Sequence, residues 1–195
     1  MPSTKTKPDR RSLILGEAAR LFREKGFGGS SMRELAERVG MEAASMYNHI
    51  RSKDEILDAI CFEAGEKYNR QLEEARVQFA GDYPRMMEAI IAFHVAIIFE
   101  YRDAVSVLNN DWKYLKPERL TEFKKMRKEY EKNLAGIITE GIAAGAFKEV
   151  NISVALFTLL SSLRWVELWY KPGRGVSKDS LAKDISAILM NGIKA

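Results

Sequence analysis

The sequence predicts an all-α fold of about nine helices, on three observations. Apolar residues recur with helical period along nearly every segment, and no stretch alternates as a half-buried strand does. Ser and Asp stand where helices should start, and Gly and Pro where they should stop. No repeat period is present, which sets repeat architectures aside.

Taken in order, the first helix should run from about Asp9 to Lys25, with Leu13, Leu15, Ala18, Ala19, Leu21 and Phe22 inward and Gly26 as a left-handed cap. Gly28-Gly29 is a turn. Ser30 or Ser31 then caps a short second helix, and Glu34 stands three residues after Ser31 as in a capping box. Gly40 permits a sharp turn into a third short helix, Ala43 to His49. Ser52, with Glu55 three residues on, caps a long fourth helix to about Phe79. Pro84 to Tyr101, Asp103 to Tyr114, Pro117 to Ala144, Ile152 to Tyr170 and Ser177 to Ile193 complete the series, with Pro172-Gly173-Arg174-Gly175 as a loop.

Composition narrows the classes. The chain has 195 residues, 46% hydrophobic and 30% charged, enough to bury a core and stay soluble. The longest apolar runs are interrupted, by His94 in one case and serines in another, so no membrane partner is expected. Met1 to Arg11 is polar and basic, unlike a signal peptide, and the single Cys61 cannot form an internal disulfide. Both point to the cytoplasm. His49, Cys61 and His94 are scattered and lack zinc-site spacing, and no cofactor motif is present. Residues 1–57 hold eleven Lys/Arg against eight Asp/Glu, while 58–195 hold twenty against nineteen. The surplus gathers at Lys5, Lys7, Arg10 and Arg11, a basic arm suited to a polyanion.

Gly26–Leu57 carries the functional signal. Two short helices joined by a tight glycine turn fit the helix-turn-helix, whose second helix enters the major groove of DNA. Ala43, Ala44 and Ser45 are small and let the helix sit deep. Asn48 can read a base edge, while Tyr47, His49 and Lys53 carry donors suited to phosphate oxygens. Ser31 brings a hydroxyl and a helix N-terminus to the backbone, and Arg33 completes the candidate DNA-contact set.

In this segment the chain resembles the tetracycline-repressor (TetR) family. The match runs through Gly26-Phe27, Ser30-Ser31, Leu35-Ala36, Val39-Gly40-Met41, Ser45-Met46-Tyr47, His49-Ile50 and Ser52-Lys53-Asp54. Glu42 and Ala43 depart from it, since the family often has Ser followed by a polar residue there. The resemblance implies a DNA-binding domain over 1–57 and a ligand-binding and dimerisation domain over 58–195, the last two helices pairing across a two-fold axis. It implies a palindromic double-stranded operator, a homodimer and a small-molecule effector as partners. The stretch from Trp165 to Ser177 resembles TetR-type regulators of fatty-acid and sterol breakdown, which sense acyl-CoA thioesters.

The second half is rich in aromatics. Ordinary core accounts for most of them, and an apolar pocket between helices accounts for the rest. The candidate lining residues are Phe93, His94, Ile97, Trp112, Phe123, Met126, Tyr130, Phe157, Ser161, Arg164 and Trp165. Arg164 interrupts an apolar helix, so it must find a carboxylate, an anion or water. The expected function is a DNA-binding regulator, a repressor released by an apolar or amphipathic effector. An effector-independent DNA-binding scaffold and a helical enzyme on a lipid-like substrate are the alternatives, and the chain offers no histidine and carboxylate at catalytic spacing.

Overall fold

The computed structural model describes residues 9–170 and 176–193. Lys5 and Lys7 of the basic arm, and the predicted loop at Pro172, Gly173, Arg174 and Gly175, lie outside the described residues. Among the described residues the chain forms nine α-helices: α1 (Arg10–Lys25), α2 (Met32–Arg38), α3 (Ala43–Met46), α4 (Lys53–Gln78), α5 (Tyr83–Glu100), α6 (Arg102–Asn110), α7 (Pro117–Ala143), α8 (Ile152–Trp169) and α9 (Lys178–Ile193). A short 3-10 turn, Trp112–Tyr114, follows α6.

The predicted caps at Ser31 and Ser52 are in place, and Asp9 makes a third. Asp9 Oδ1 accepts from the Ser12 amide at 2.6 Å, Ser31 Oγ from Glu34 at 3.2 Å and Ser52 Oγ from Glu55 at 3.1 Å. Each satisfies an amide that the first helical turn leaves unpaired. Gly26 ends α1 with φ 74 and ψ 158, an extended conformation open essentially to glycine alone, rather than the left-handed cap expected from sequence. Asp111 ends α6 before Tyr114: its amide bonds to Val107, and its carbonyl accepts from Tyr114 in the tighter 3-10 spacing.

The packing divides the chain into two compact units, and the division differs from a single cut after residue 57. One unit comprises the chain up to Ala64 together with Asp103–Phe123; the other comprises Gly65–Arg102 with Lys124–Ala195. Helices α4 and α7 each contribute residues to both.

In the first unit Ile14, Ala18, Leu21 and Phe22 of α1, Leu35 of α2, Met46 of α3 and Leu57 of α4 are buried. Burying a side chain of Phe22's size stabilises the unit by about 1.5–3 kcal/mol. Cys61 is buried there as a free thiol, and burial, with the Asp111 and Asp58 charges behind it, pushes the thiol up to about 12. It therefore stays protonated and packs as a small apolar group.

In the second unit α5 packs against α8 and α9. Its buried residues include Met87, Ile91, Val95 and Ile98, and those of α8 include Leu156, Leu159, Leu163 and Val166. With 18 residues and a mean hydropathy of 1.3, α8 has the length and composition to cross a bilayer, which the interrupted runs had not predicted. It lies with one stripe buried in this helical unit.

Candidate functional site

The helix-turn-helix is built from α2, a turn at 39–42 and α3. Val39 and Gly40 end α2, and the Met41 amide bonds back to Ala36 O at 2.9 Å. Gly40 has φ 64, which a side chain would strain, so the glycine sets the angle between the two helices. α3 is shorter than predicted and ends at Met46, not His49. Beyond it the amides of Asn48 and His49 bond to the carbonyls of Ser45 and Met46, three residues back, and the coil tightens.

Met46 and Ile50 are buried and anchor this short element from below. Ala43, Ala44, Ser45, Tyr47, Asn48 and His49, six of the predicted contact residues, are each exposed. Glu42 precedes them as an exposed N-cap residue with no side-chain capping bond. On α2, Ser31 is exposed and caps its own helix, and Arg33 is exposed and paired with Glu37 one turn on, at 3.3 Å.

Lys53 corrects the prediction. Its ammonium donates to the carbonyls of Phe27 and Ser30, both at 2.8 Å, and lies 4.4 Å from the centre of the Phe27 ring. Two of its three protons are thus committed to the turn between α1 and α2, and its first task is to hold that turn. Ser30, the alternative cap, is buried and donates to the same Phe27 carbonyl at 2.8 Å.

Phe27 is the hub that sequence reasoning missed. Its amide donates to Asp111 Oδ1 at 3.4 Å, and its ring stacks on Tyr114 at 5.8 Å and meets Phe22 edge-on at 5.4 Å. Asp111 is buried, and desolvation outweighs the Phe27 amide bond and raises its carboxyl above the ordinary range. Arg23 of α1 pairs with Asp103 of α6. These contacts fix the 103–123 segment to the base of the helix-turn-helix. The position of α2 is set by ion pairs as well: Lys25 with Glu34 at 2.5 Å, and Arg38 with Glu24 at 2.8 Å and Glu34 at 3.5 Å. The Arg38 hydrogen bond holds the Glu24 carboxyl below its usual range, and the Lys25 bond does the same for Glu34.

The predicted pocket residues are divided between the two units. Trp112 and Phe123 belong to the first unit, their rings 6.1 Å apart, with Phe62 at 5.6 Å from Phe123. Arg119 lies 3.8 Å over Phe62 and pairs with both oxygens of Asp58, at 2.6 and 2.9 Å. In the second unit Phe93, His94 and Ile97 share α5, and Tyr130 faces them from α7. His94 Nε2 lies 2.7 Å from Tyr130 Oη, and Tyr68 of α4 touches Phe93, His94 and Tyr130 with ring centres 4.7–6.1 Å apart. Met126 borders an open groove of about 490 Å³ whose other walls are Glu66, Asn69, Arg70, Glu129 and Asn133.

Phe157, Ser161, Arg164 and Trp165 are placed otherwise than predicted. They lie on the exposed side of α8, because its buried stripe is Leu156, Leu159, Leu163, Val166 and Glu167. Phe157 is 51% exposed and Trp165 60%. Arg164, expected in a buried helix, is exposed in this chain and is engaged in an interaction there.

Residues 14–60 match the model of bacterial regulatory proteins, tetR family, and residues 84–193 match that of the tetracyclin repressor-like C-terminal domain. The chain belongs to the TetR family. This TetR-family chain is 29% identical, over 97% of its length and 94% of the relative's, to the HTH-type transcriptional repressor KstR2 of Rhodococcus jostii. Among solved structures, the ketosteroid transcriptional regulator KstR2 of Mycobacterium tuberculosis superposes with a TM-score of 0.90 at 20% identity, covering 97% of each chain. AibR, solved in complex with isovaleryl coenzyme A and operator DNA, superposes with a TM-score of 0.82 at 24% identity, covering 92% of this chain and 97% of AibR. As a member of the TetR family the protein is a DNA-binding transcription regulator and not an enzyme.

Proposed function

We propose that the protein is a repressor that binds a palindromic operator as a homodimer and is released by an apolar or amphipathic effector, an acyl-CoA thioester. The observation that carries the DNA half is the exposed set Ala43, Ala44, Ser45, Tyr47, Asn48 and His49, held from below by buried Met46 and Ile50. Small residues allow close approach, Asn48 has the amide that pairs with adenine, and Tyr47 and His49 offer phosphate donors. Ser31 and Arg33 at the start of α2 add contacts to the backbone.

Dimerisation is supported by the outward side of α8, where Val154, Phe157, Trp165, Leu168 and Trp169 are exposed at helical spacing, and by Ile188 of α9, 74% exposed. Contiguous apolar surface of this kind is unfavourable in water and fits a helical interface with a second copy. The effector half is supported by the aromatic interior of the second unit and by the AibR complex, whose ligand is a thioester. In this scheme 1–57 reads DNA and 58–195 senses and dimerises, with the 103–123 segment joined to the reading part. Operator binding places the protein in the cytoplasm with the chromosome.

The test is fluorescence anisotropy of duplexes from the DNA upstream of its own gene, with and without acyl-CoA thioesters. The account expects a dimer on a palindrome, competed off by a thioester. Binding no tighter than to random DNA, or a monomer at micromolar concentration, refutes it.

A further inference from the structure

The cations along α7 fall into two groups. Lys116, just before the helix, pairs with Asp54, Arg119 with Asp58 and Glu122, and Arg127 with Glu131. Lys124, Lys125, Lys128 and Lys132 are each exposed, and none of the four has a carboxylate, hydrogen-bond or ring partner among the described residues. All four belong to the second compact unit, whereas α2 and α3 belong to the first.

The helical period puts these lysines on one face. Lys124, Lys128 and Lys132 form an i, i+4, i+8 row, and Lys125 lies beside it, within an arc of about 100°. The glutamates of α7 all fall outside that arc. Segment 113–132 holds eight Lys/Arg against four Glu, a surplus equal to the formal +4 of the whole chain.

Such a row destabilises its own helix, because like charges at i, i+4 repel. Two such pairs follow in succession here, and no carboxylate stands within the arc to offset them. A polyanion laid along the face removes the repulsion and sheds its own counterions in doing so. The spacing fits duplex DNA. Successive lysines of the row advance roughly 6 Å along the axis. Phosphates of one strand advance roughly 3.4 Å per nucleotide, so each lysine meets about every second phosphate.

From this we infer that the lysine face of α7 is a second DNA-contacting surface, which holds the phosphate backbone of a duplex segment outside the operator. The arc offers point charges and no Asn, Gln or Arg able to pair with a base edge through two bonds, so it reads no sequence. The operator contacts proposed above come from α2, α3 and the turn after it, none of which contributes to this face. The inference rests on that DNA-binding reading and adds a hold on a second stretch of DNA.

The test uses the full-length protein, first saturated with an unlabelled duplex containing its footprinted operator. A short fluorescein-labelled duplex of random sequence is then titrated in at low and at physiological salt, with anisotropy as the readout. Wild-type protein should bind it with a slope of log affinity against log salt of about −3, from about 0.9 per lysine engaged. K124Q/K128Q/K132Q should lose this second binding and keep its operator affinity. It should melt no lower than wild type, since the repulsion is gone and glutamine is a good helix former. The charge-matched control R70Q/R85Q/K148Q neutralises three exposed cations outside this face and should bind the random duplex as wild type does.

If operator-bound wild type captures no random duplex, or the triple lysine variant captures it equally well, the inference falls and the operator reading stands. An equal loss in the control assigns the effect to net charge and also overturns it. Capture of phosphatidylglycerol vesicles in place of the duplex gives the face to a membrane and overturns it too. If no operator is found, the operator reading falls, and the random-duplex affinity of the lysine variant against that of the control still decides this one.

Discussion

The Lys53 ammonium donates to the Phe27 carbonyl at 2.8 Å while lying 4.4 Å from the centre of that residue's ring. One cation thus holds the main chain and the side chain of the residue from which the turn into α2 departs. A charge-assisted bond to a carbonyl contributes about 1.5–3 kcal/mol and a partly desolvated cation–π contact about 0.5–1 kcal/mol. Lys53→Met should therefore lower stability by about 1–3 kcal/mol and weaken operator binding through misplacement of α2. The slope of log affinity against log salt should fall by less than about one unit, the change a direct phosphate contact would give. Urea denaturation and a salt titration on the same variant separate the two roles.

Asn48 gives a different signature. It is exposed on the accessible side of the turn after α3, next to Tyr47. Asn48→Ala should leave binding to random DNA unchanged and cost about 1–3 kcal/mol on the cognate site, with preference lost at one base position. Tyr47→Phe should weaken binding to all sequences alike. A panel of single-base operator variants reads both outcomes.

The ion pairs of α1 and α2 predict an acid sensitivity of definite sign. Glu24 and Glu34 have folded-state values below the ordinary 4.5, chiefly through hydrogen bonds to Arg38 and Lys25. A depressed carboxylate contributes stability that is complete above its unfolded value and is lost as pH falls through its folded value. In urea midpoints the contribution of these two carboxylates should be constant from pH 7 to about 5 and be lost below about 4.5, on top of a decline that begins near 6.5 because burial keeps the His94 imidazole neutral in the folded chain and only the unfolded chain takes up its proton there. Glu34→Gln should show a shallower decline. An equal decline in the variant would remove these pairs from the explanation.

Gly141 marks a close approach in the second unit. A methyl group there would lie 2.4 Å from the Phe147 ring and 3.2 Å from Tyr83 Cβ. Phe147 is buried and has little room to retreat. Gly141→Ala should therefore destabilise by about 1–3 kcal/mol despite the better helix propensity of alanine. Thermal melting checks the sign.

The outward face of α8 predicts the oligomeric state. Trp165→Glu places a charge within the exposed apolar stripe without touching the buried one. It should shift the protein to monomers in sedimentation analysis while leaving the helical content unchanged, and operator affinity should fall with the dimer.

Local features were legible in the sequence, and long-range ones were not. Ser31 and Ser52 could be read as caps because the bond each makes is to an amide three residues on. Gly40 could be read as the turn because positive φ is a property of one residue. Lys53 could not be placed, because its partners Phe27 and Ser30 lie 26 and 23 residues away. Asp111 could not be placed either, because its bond to Phe27 spans 84 residues. On α8 the apolar residues extend around much of the helix, so periodicity marked it as apolar without saying which stripe is buried; the structure gives that stripe to Leu156, Leu159 and Leu163 and leaves Phe157 and Trp165 outside.

The most direct test of the account is footprinting of the purified full-length protein on the DNA upstream of its own gene. The account predicts a protected palindrome whose half-sites are spaced by one or more helical turns of roughly 34 Å, occupied by pairs of protomers and lost in the Asn48→Ala, Tyr47→Phe double variant. Uniform, salt-sensitive protection with no palindrome, or a footprint unchanged in that double variant, would contradict it.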